Sequence, residues 1–133
     1  MNITRNAVYD YVSGKLLEAY PNIYVAGVYE LIPASKPAVF LRESSDFRNR
    51  QNMTFSGVQG VRTSTWEVHT ISGQTNGSLD EAYALLEVAR QAFFALHYNE
   101  TNVAIVEDGQ NGNYRLRATY RRVIGDADEM PTT

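Results

Sequence analysis

The sequence predicts an α+β fold, in which a mixed, mainly antiparallel sheet of four to five strands is packed by two helices. Two stretches, 4–19 and 78–96, repeat apolar residues at spacings of three and four, which is typical of amphipathic helices. The stretches around them alternate apolar and polar residues or are rich in β-branched ones, which is typical of strands. A long irregular segment, 44–60, predicts an inter-strand arm. The chain is thus one α+β domain over 1–125, followed by a short, mobile acidic tail, 126–133.

Composition limits the classes of function. With 133 residues, 44% hydrophobic and 20% charged, the chain has ordinary globular composition. It has no cysteine, which excludes disulfides, thiolate metal sites and cysteine nucleophiles. The net charge of −3 argues against a dedicated nucleic-acid binder. The sequence has neither the apolar run of a membrane span nor a signal peptide at its start, so we expect a soluble, intracellular protein with no membrane partner.

The first helix has clear start and stop signals. Thr4 is a capping residue, and Pro21 ends the helix because the residue before a proline is disfavoured in helical geometry. Gly14 lies in the middle and costs about 1 kcal/mol relative to alanine. We therefore expect either close packing at Gly14 or early fraying of the helix. In the second helix, Ser78 and Glu81 have the spacing of a capping box.

Three predicted strands separate the helices and two follow the second one. The first is interrupted at Gly27, and the last two form a hairpin around a polar, glycine-containing loop. The predicted strands are 22–32, 38–43, 61–72, 102–107 and 114–124.

The predicted arm, 44–60, combines polar and glycine residues with apolar ones. Loops of this length are uncommon in compact domains unless they are functional or disordered. Its apolar side chains exceed what a solvated loop needs, so we expect another subunit to bury them. These side chains are Phe47, Met53, Phe55 and Val58.

No pattern of catalytic or metal-binding residues is recognisable. The two histidines, His69 and His97, lie on different elements without carboxylates at diagnostic spacing, and His97 falls at a predicted helix C-terminus. Nucleophile elbows and phosphate-binding glycine loops are absent. We predict no enzyme activity, no cofactor and no metal.

The last predicted strand has one core-like side and one basic side. Arg115, Arg117 and Arg121 alternate with apolar and aromatic residues. Two interpretations remain open for this basic side. It is either a solvated, solubilising surface or a charged contact surface, for which arginine is well suited because its guanidinium binds carboxylates through two hydrogen bonds.

Several short segments together resemble the tail-terminator (tail-completion, minor capsid) proteins of long-tailed bacteriophages. The similarity covers nearly the whole length but is one of layout and short patterns. The segments are the helix ending at Tyr20-Pro21, the strand Pro37–Glu43, the strand Thr65–Ile71, the helix start Leu79–Ala82 and the strand Tyr114–Arg122.

The resemblance implies a structural protein of the virion tail and neck, assembled in the host cytoplasm. Copies would form a closed ring, usually of six, that ends tail-tube polymerisation and joins the tail to the head connector. The implied partners are other copies of the chain, the tail-tube protein and a head-completion or connector protein. Such proteins have no catalytic residues, and their long inter-strand loop contacts the tube or the neighbouring subunit. This places Phe47, Arg48, Arg50, Met53 and Phe55 at contacts.

Two other interpretations stay open. The chain could be another head–tail joining component, such as a stopper or an adaptor. It could also be a small ligand-binding or enzymatic α+β domain with a pocket between sheet and helices. That pocket would draw on Tyr29, Trp66, His69 or Tyr120.

Overall fold

A computed structural model describes residues 3–27, 37–48, 61–72, 79–108, 113–125 and 128–131. The predicted order of helix, three strands, helix and two strands is confirmed. The elements are α1 (Arg5–Ala19), β1 (Tyr24–Ala26), β2 (Ala38–Arg48), β3 (Val61–Ile71), α2 (Leu79–Ala95), β4 (Asn99–Asp108) and β5 (Asn113–Gly125).

The strands form one five-stranded sheet in the order β1-β2-β3-β5-β4. The short strand β1 runs parallel to β2, and all other neighbours are antiparallel. The last strand, β5, therefore lies between β3 and β4. Both helices pack on one face of this sheet, so the predicted α+β fold with a mixed, mainly antiparallel sheet is confirmed.

Helix α1 begins and ends as its sequence predicts, but Gly14 behaves differently. The side-chain oxygen of Thr4 accepts a hydrogen bond from the Ala7 N–H at 3.1 Å. The helix continues for five residues beyond Gly14, and no heavy atom lies within 4 Å of where a Cβ would stand. Both expectations for Gly14, close packing and fraying, are therefore wrong. The side of the helix that is buried against the core consists of Val8, Val12 and Leu16.

Helix α2 ends in a tight reversal at His97. His97 has a φ of 65°, and the Tyr98 N–H donates to the Phe93 carbonyl at 2.9 Å. The His97 N–H likewise donates to the Phe94 carbonyl, which completes a Schellman motif. The Tyr98 ring packs edge-on against Phe93 with centroids 5.3 Å apart. The predicted position of His97 at a helix C-terminus is confirmed.

The core between helices and sheet is built around aromatic residues. Phe93 stacks on Tyr120 with ring centroids 4.6 Å apart and lies 6.0 Å from Trp66. All three side chains are fully buried. Each contributes about 1.5–3 kcal/mol from the removal of apolar surface from water.

Two strands extend beyond the predicted bounds because each contains a β-bulge. Ser44 is the extra residue in β2 and Thr101 the extra residue in β4. Each hydroxyl donates to a carbonyl of the neighbouring strand at 3.3 Å. A bulge shifts the alternation by one residue, so the period-two pattern breaks there although the strand continues. The predicted arm, 44–60, consequently starts too early, because β2 runs to Arg48.

The remaining differences lie near the ends of the chain. The first predicted strand, 22–32, is described only as far as Gly27 and forms the short β1. The tail, expected to be mobile, is anchored in its described part, 128–131. The Asp128 carboxylate accepts from the Gly125 N–H at 2.7 Å and pairs with Arg122 at 3.1 Å. Met130 packs against the core.

Candidate protein-interaction site

The predicted arm residues are only partly within the described chain. Backbone pairing places Phe47 opposite Thr63 and Arg48 opposite Arg62, near the end of the β2–β3 hairpin. Arg50, Met53 and Phe55 lie outside the described residues, as do Tyr29 and the capping residue Ser78. The hairpin thus leads the chain into the segment 49–60.

Strand β5 has the predicted division into an apolar and a basic side. Leu116, Ala118 and Tyr120 are fully buried against the helices. Arg117 and Arg121 are exposed on the opposite face of the sheet. We call this pair of exposed arginines the basic row.

Arg115 lies on the same face as the basic row but is only 2% exposed. Its guanidinium carbon lies 5.9 Å from the centre of the Phe40 ring, which itself meets Tyr24 edge-on at 6.1 Å. Arg115 is paired with Ile71 on β3, another member of this small second apolar cluster. The exposed basic surface therefore begins at Arg117, and Arg115 stabilises the cluster beside it.

A carboxylate lies beside the basic row, on the same sheet face. Glu67 Oε1 is 2.5 Å from His69 Nε2 and 3.6 Å from Arg42 Nη2. Because a carboxylate only accepts hydrogen bonds, Nε2 carries the proton of the neutral His69 ring. Burial lowers the pKa of His69 below 6.5, against the opposing effect of Glu67. Burial would raise the pKa of Glu67, but the His69 hydrogen bond and the surrounding positive charges outweigh it, so this pKa is lowered.

The net charge of this face is positive although the whole chain is acidic. Among the residues whose side chains the structure describes, this face has four arginines and one carboxylate: Arg42, Arg115, Arg117, Arg121 and Glu67. The chain as a whole carries −3. Such a face favours acidic surfaces of protein partners.

Helix α2 presents the opposite charge on the other side of the molecule. Asp80, Tyr83 and Glu87 are exposed and follow one another at spacings of three and four, so they share one side of the helix. We call these three residues the acidic stripe. The Arg90 guanidinium is bound by Glu87 at 2.6 Å and by Glu100 at 2.7 Å, which raises its pKa. Tyr83 is 44% exposed and is the aromatic residue in the middle of the stripe.

A buried polar cluster on the helix side was missed from the sequence. Ser64 Oγ is 2.6 Å from Glu43 Oε2 and 2.8 Å from the Tyr98 hydroxyl. The Arg62 guanidinium pairs with Glu43 at 3.5 Å and donates to the Ile3 carbonyl. The signal was present, because Glu43 follows Val39 and Leu41 in alternation and so belongs on the core face. The cluster joins β2, β3, the start of α1 and the end of α2.

Of the residues proposed for a ligand pocket, the three that the structure describes do not all lie on the same side of the sheet. Trp66 and Tyr120 belong to the core on the helix side, whereas His69 lies on the opposite sheet face. A groove of about 530 Å³ does run between α1 and α2, lined by Tyr11, Lys15, Val88, Ala92 and neighbouring residues. In the described part of the chain, no group of three metal-ligating side chains is close enough to hold a metal ion. Among the same residues, neither helix has the length and apolarity to cross a membrane.

Comparison with known proteins finds a structural likeness but no sequence relative. No protein-family model matches the sequence, and no curated protein matches it. The structure is similar to a sheath/tube terminator of PVC, an extracellular contractile injection system, determined by cryo-EM in its extended state. The alignment has 10% identity and a TM-score of 0.48 and covers all of this chain and 62% of that one. The chain thus spans less than two thirds of that terminator, and at this TM-score the likeness carries no argument about function.

Proposed function

We propose that this chain is a structural tail protein whose copies form a ring, ending a tail tube and joining it to a head connector. The observation that supports assembly is the pair of oppositely charged surfaces on opposite sides of the fold. The tail-terminator role rests on the resemblance of the short sequence segments to that family. The partners would be other copies of the chain, the tube protein and a connector protein.

The two surfaces are matched in spacing. Asp80 and Glu87 are seven residues apart on a helix, which is about 10.5 Å along the axis. Arg117 and Arg121 are four residues apart on a strand, which is about 13 Å. Flexible arginine side chains span the difference and bind carboxylates through two hydrogen bonds. The acidic stripe of one copy therefore fits the basic row of the next.

The position of the surfaces favours a ring or an open stack over a two-fold dimer. An interface between two different patches leaves a pair of copies with one unused patch of each kind, so further copies add until the chain of copies closes. The arm residues Arg50, Met53 and Phe55 would add apolar and polar contacts to the neighbour or to the tube.

A charge exchange tests this interface. The first variant, Arg117→Glu with Arg121→Glu, has an acidic row, and the second, Asp80→Lys with Glu87→Lys, has a basic stripe. Each variant alone places like charges at the interface, so we expect a monomer by light scattering. In an equimolar mixture every contact joins opposite charges, and we expect alternating rings in negative-stain images. The wild type is the positive control.

Three outcomes would contradict the proposal. A wild-type chain that remains monomeric at high concentration contradicts the proposed ring. Variants that still assemble on their own contradict the proposed contact between the acidic stripe and the basic row. Wild-type rings that fail to bind the ends of tail tubes in a co-sedimentation assay contradict the terminator role and favour another joining component.

A further inference from the structure

Strand β4 is an edge of the sheet, and its central part lacks the usual protection of edge strands. It pairs with β5 on one side and is the last strand of the sheet in the described part of the chain. An edge strand exposes backbone N–H and C=O groups that another strand can bind, and most proteins shield such edges with lysine, proline or a very short strand. The ten residues of β4 include no lysine, arginine or proline. Its protective features are the bulge at Thr101, near its beginning, and the acidic residues near its two ends, so that Asn102–Val106 carries no charge.

The second half of β4 adds an exposed apolar surface to this edge. Val103 and Ile105 are paired with the buried residues Ala118 and Leu116 and so lie on the helix side of the sheet. Val103 packs against the core, whereas Ile105 is 52% exposed. A strand added here would therefore gain hydrogen bonds to the β4 backbone and cover Ile105.

Charge disfavours pairing of β4 with β4 of a second copy. Such antiparallel pairing, with Val103 opposite Ile105, would place Glu100 opposite Asp108 at both ends of the contact. Like charges directly across two strands are destabilising. The β4 sequence carries three acidic residues in all, Glu100, Glu107 and Asp108, so it favours a basic partner strand.

The chain itself contains a segment with the complementary pattern. Residues 48–60 include Arg48 and Arg50 but no acidic residue, and Met53 and Phe55 alternate with Asn52, Thr54 and Ser56. An antiparallel register with Met53 opposite Ile105 places Phe55 opposite Val103. The same register places Arg50 opposite Asp108. One alignment thus satisfies both the apolar and the charged positions.

We propose that the β4 edge is the docking site for residues 50–56 of a second copy, which add a sixth, antiparallel strand to its sheet. This inference rests on the proposed self-assembly and specifies one of its contacts. The site consists of the β4 backbone from Asn102 to Val106 with the side chains of Val103 and Ile105. Because β4 adjoins β5, this edge borders the basic row.

Cross-linking between copies tests the occupant and its register, and because the sequence has no cysteine, the introduced thiols are the only ones that react. Two single variants, Met53→Cys and Ile105→Cys, are mixed in assembled form and treated with a short thiol cross-linker. We expect an intermolecular product in the mixture and little with Ile105→Cys alone. Replacing the second variant by Val103→Cys should reduce the yield, since Met53 would be two residues out of register.

Each other result overturns part or all of the proposal. Efficient cross-linking of Ile105→Cys to itself would show β4–β4 pairing, and a higher yield with Val103→Cys would show that the added strand has a register other than the proposed one. Rings that give no β4 cross-link contradict this contact while leaving ring assembly intact. A wild type that stays monomeric contradicts both.

A surface variant gives a second, independent readout. Ile105→Lys puts a charge on the edge and should weaken self-association by about tenfold or more. The matched control is Leu17→Lys, which introduces the same change at a residue of α1 that is 42% exposed. We expect the control to assemble like the wild type in analytical ultracentrifugation. Equal loss of assembly in both variants would overturn the assignment to β4.

Discussion

At the scale of single residues, the pairing of His69 with Glu67 makes stability depend on pH. His69 is buried and neutral in the folded chain, so its pKa is lowered from the 6.5 of an exposed histidine. Below about that pH the unfolded chain takes up a proton that the folded chain does not yet bind. The free energy of unfolding therefore falls as pH decreases from 6.5 toward the pKa of the folded state.

A glutamine at this position tests the effect. His69→Gln keeps an N–H donor near Glu67 but has no group that titrates. We expect denaturant midpoints of the wild type to decrease between pH 7.5 and 5.5, with a shallower decrease in the variant. Both proteins retain His97, which serves as the internal control. Parallel curves would show that His69 is not responsible.

Arg115 illustrates what a sequence pattern does not reveal at this scale. Alternation correctly places it on the side of Arg117 and Arg121. Its burial depends on Phe40, which lies about 75 positions earlier in the chain and reaches Arg115 through the intervening strand β3. Neighbours of this kind become visible only when the strand order is known.

At the scale of elements, Gly14 lowers the stability of helix α1 at a position where alanine would fit. It is exposed, lies inside the helix and has open space at the Cβ position. Gly14→Ala should raise the free energy of unfolding by about 0.5–1 kcal/mol, because alanine loses less backbone entropy on folding. Urea unfolding measures the change. Gly27→Ala is the control, since its new methyl would lie 3.4 Å from the Tyr9 ring and should give a smaller gain or none.

The helices were predicted more accurately than the strands, for a physical reason. An amphipathic helix is marked by a continuous period, here Val8, Val12 and Leu16 in α1. Strands β2 and β4 each contain a bulge, at Ser44 and Thr101, where the period-two pattern changes phase. The sequence therefore indicated that both strands exist but not how far they extend. The basic row was foreseen, whereas the acidic stripe was not, because acidic residues early in a helix are also explained by its dipole.

At the scale of the whole molecule, opposite charge on opposite sides implies that the proposed assembly depends on salt. Raising the ionic strength from 0.1 to 1 M reduces the screening length from about 10 to about 3 Å. We expect self-association, followed by sedimentation, to weaken across this range. Arg117→Gln with Arg121→Gln should reduce the dependence, because these neutral side chains leave little charge to screen. An assembly that strengthens with salt would indicate that apolar contacts dominate.

The insertion of β5 between β3 and β4 has a consequence for the order in which the protein matures. Until β5 emerges from the ribosome, β4 lacks the neighbour it has in the folded sheet and β3 has only β2, because the strand that joins them is synthesised after both. Completion of the sheet must therefore wait for the synthesis of β5. A nascent or truncated chain ending before Asn113 would leave β4 unpaired and one edge of β3 exposed, and we expect chaperones to bind such fragments or proteases to degrade them.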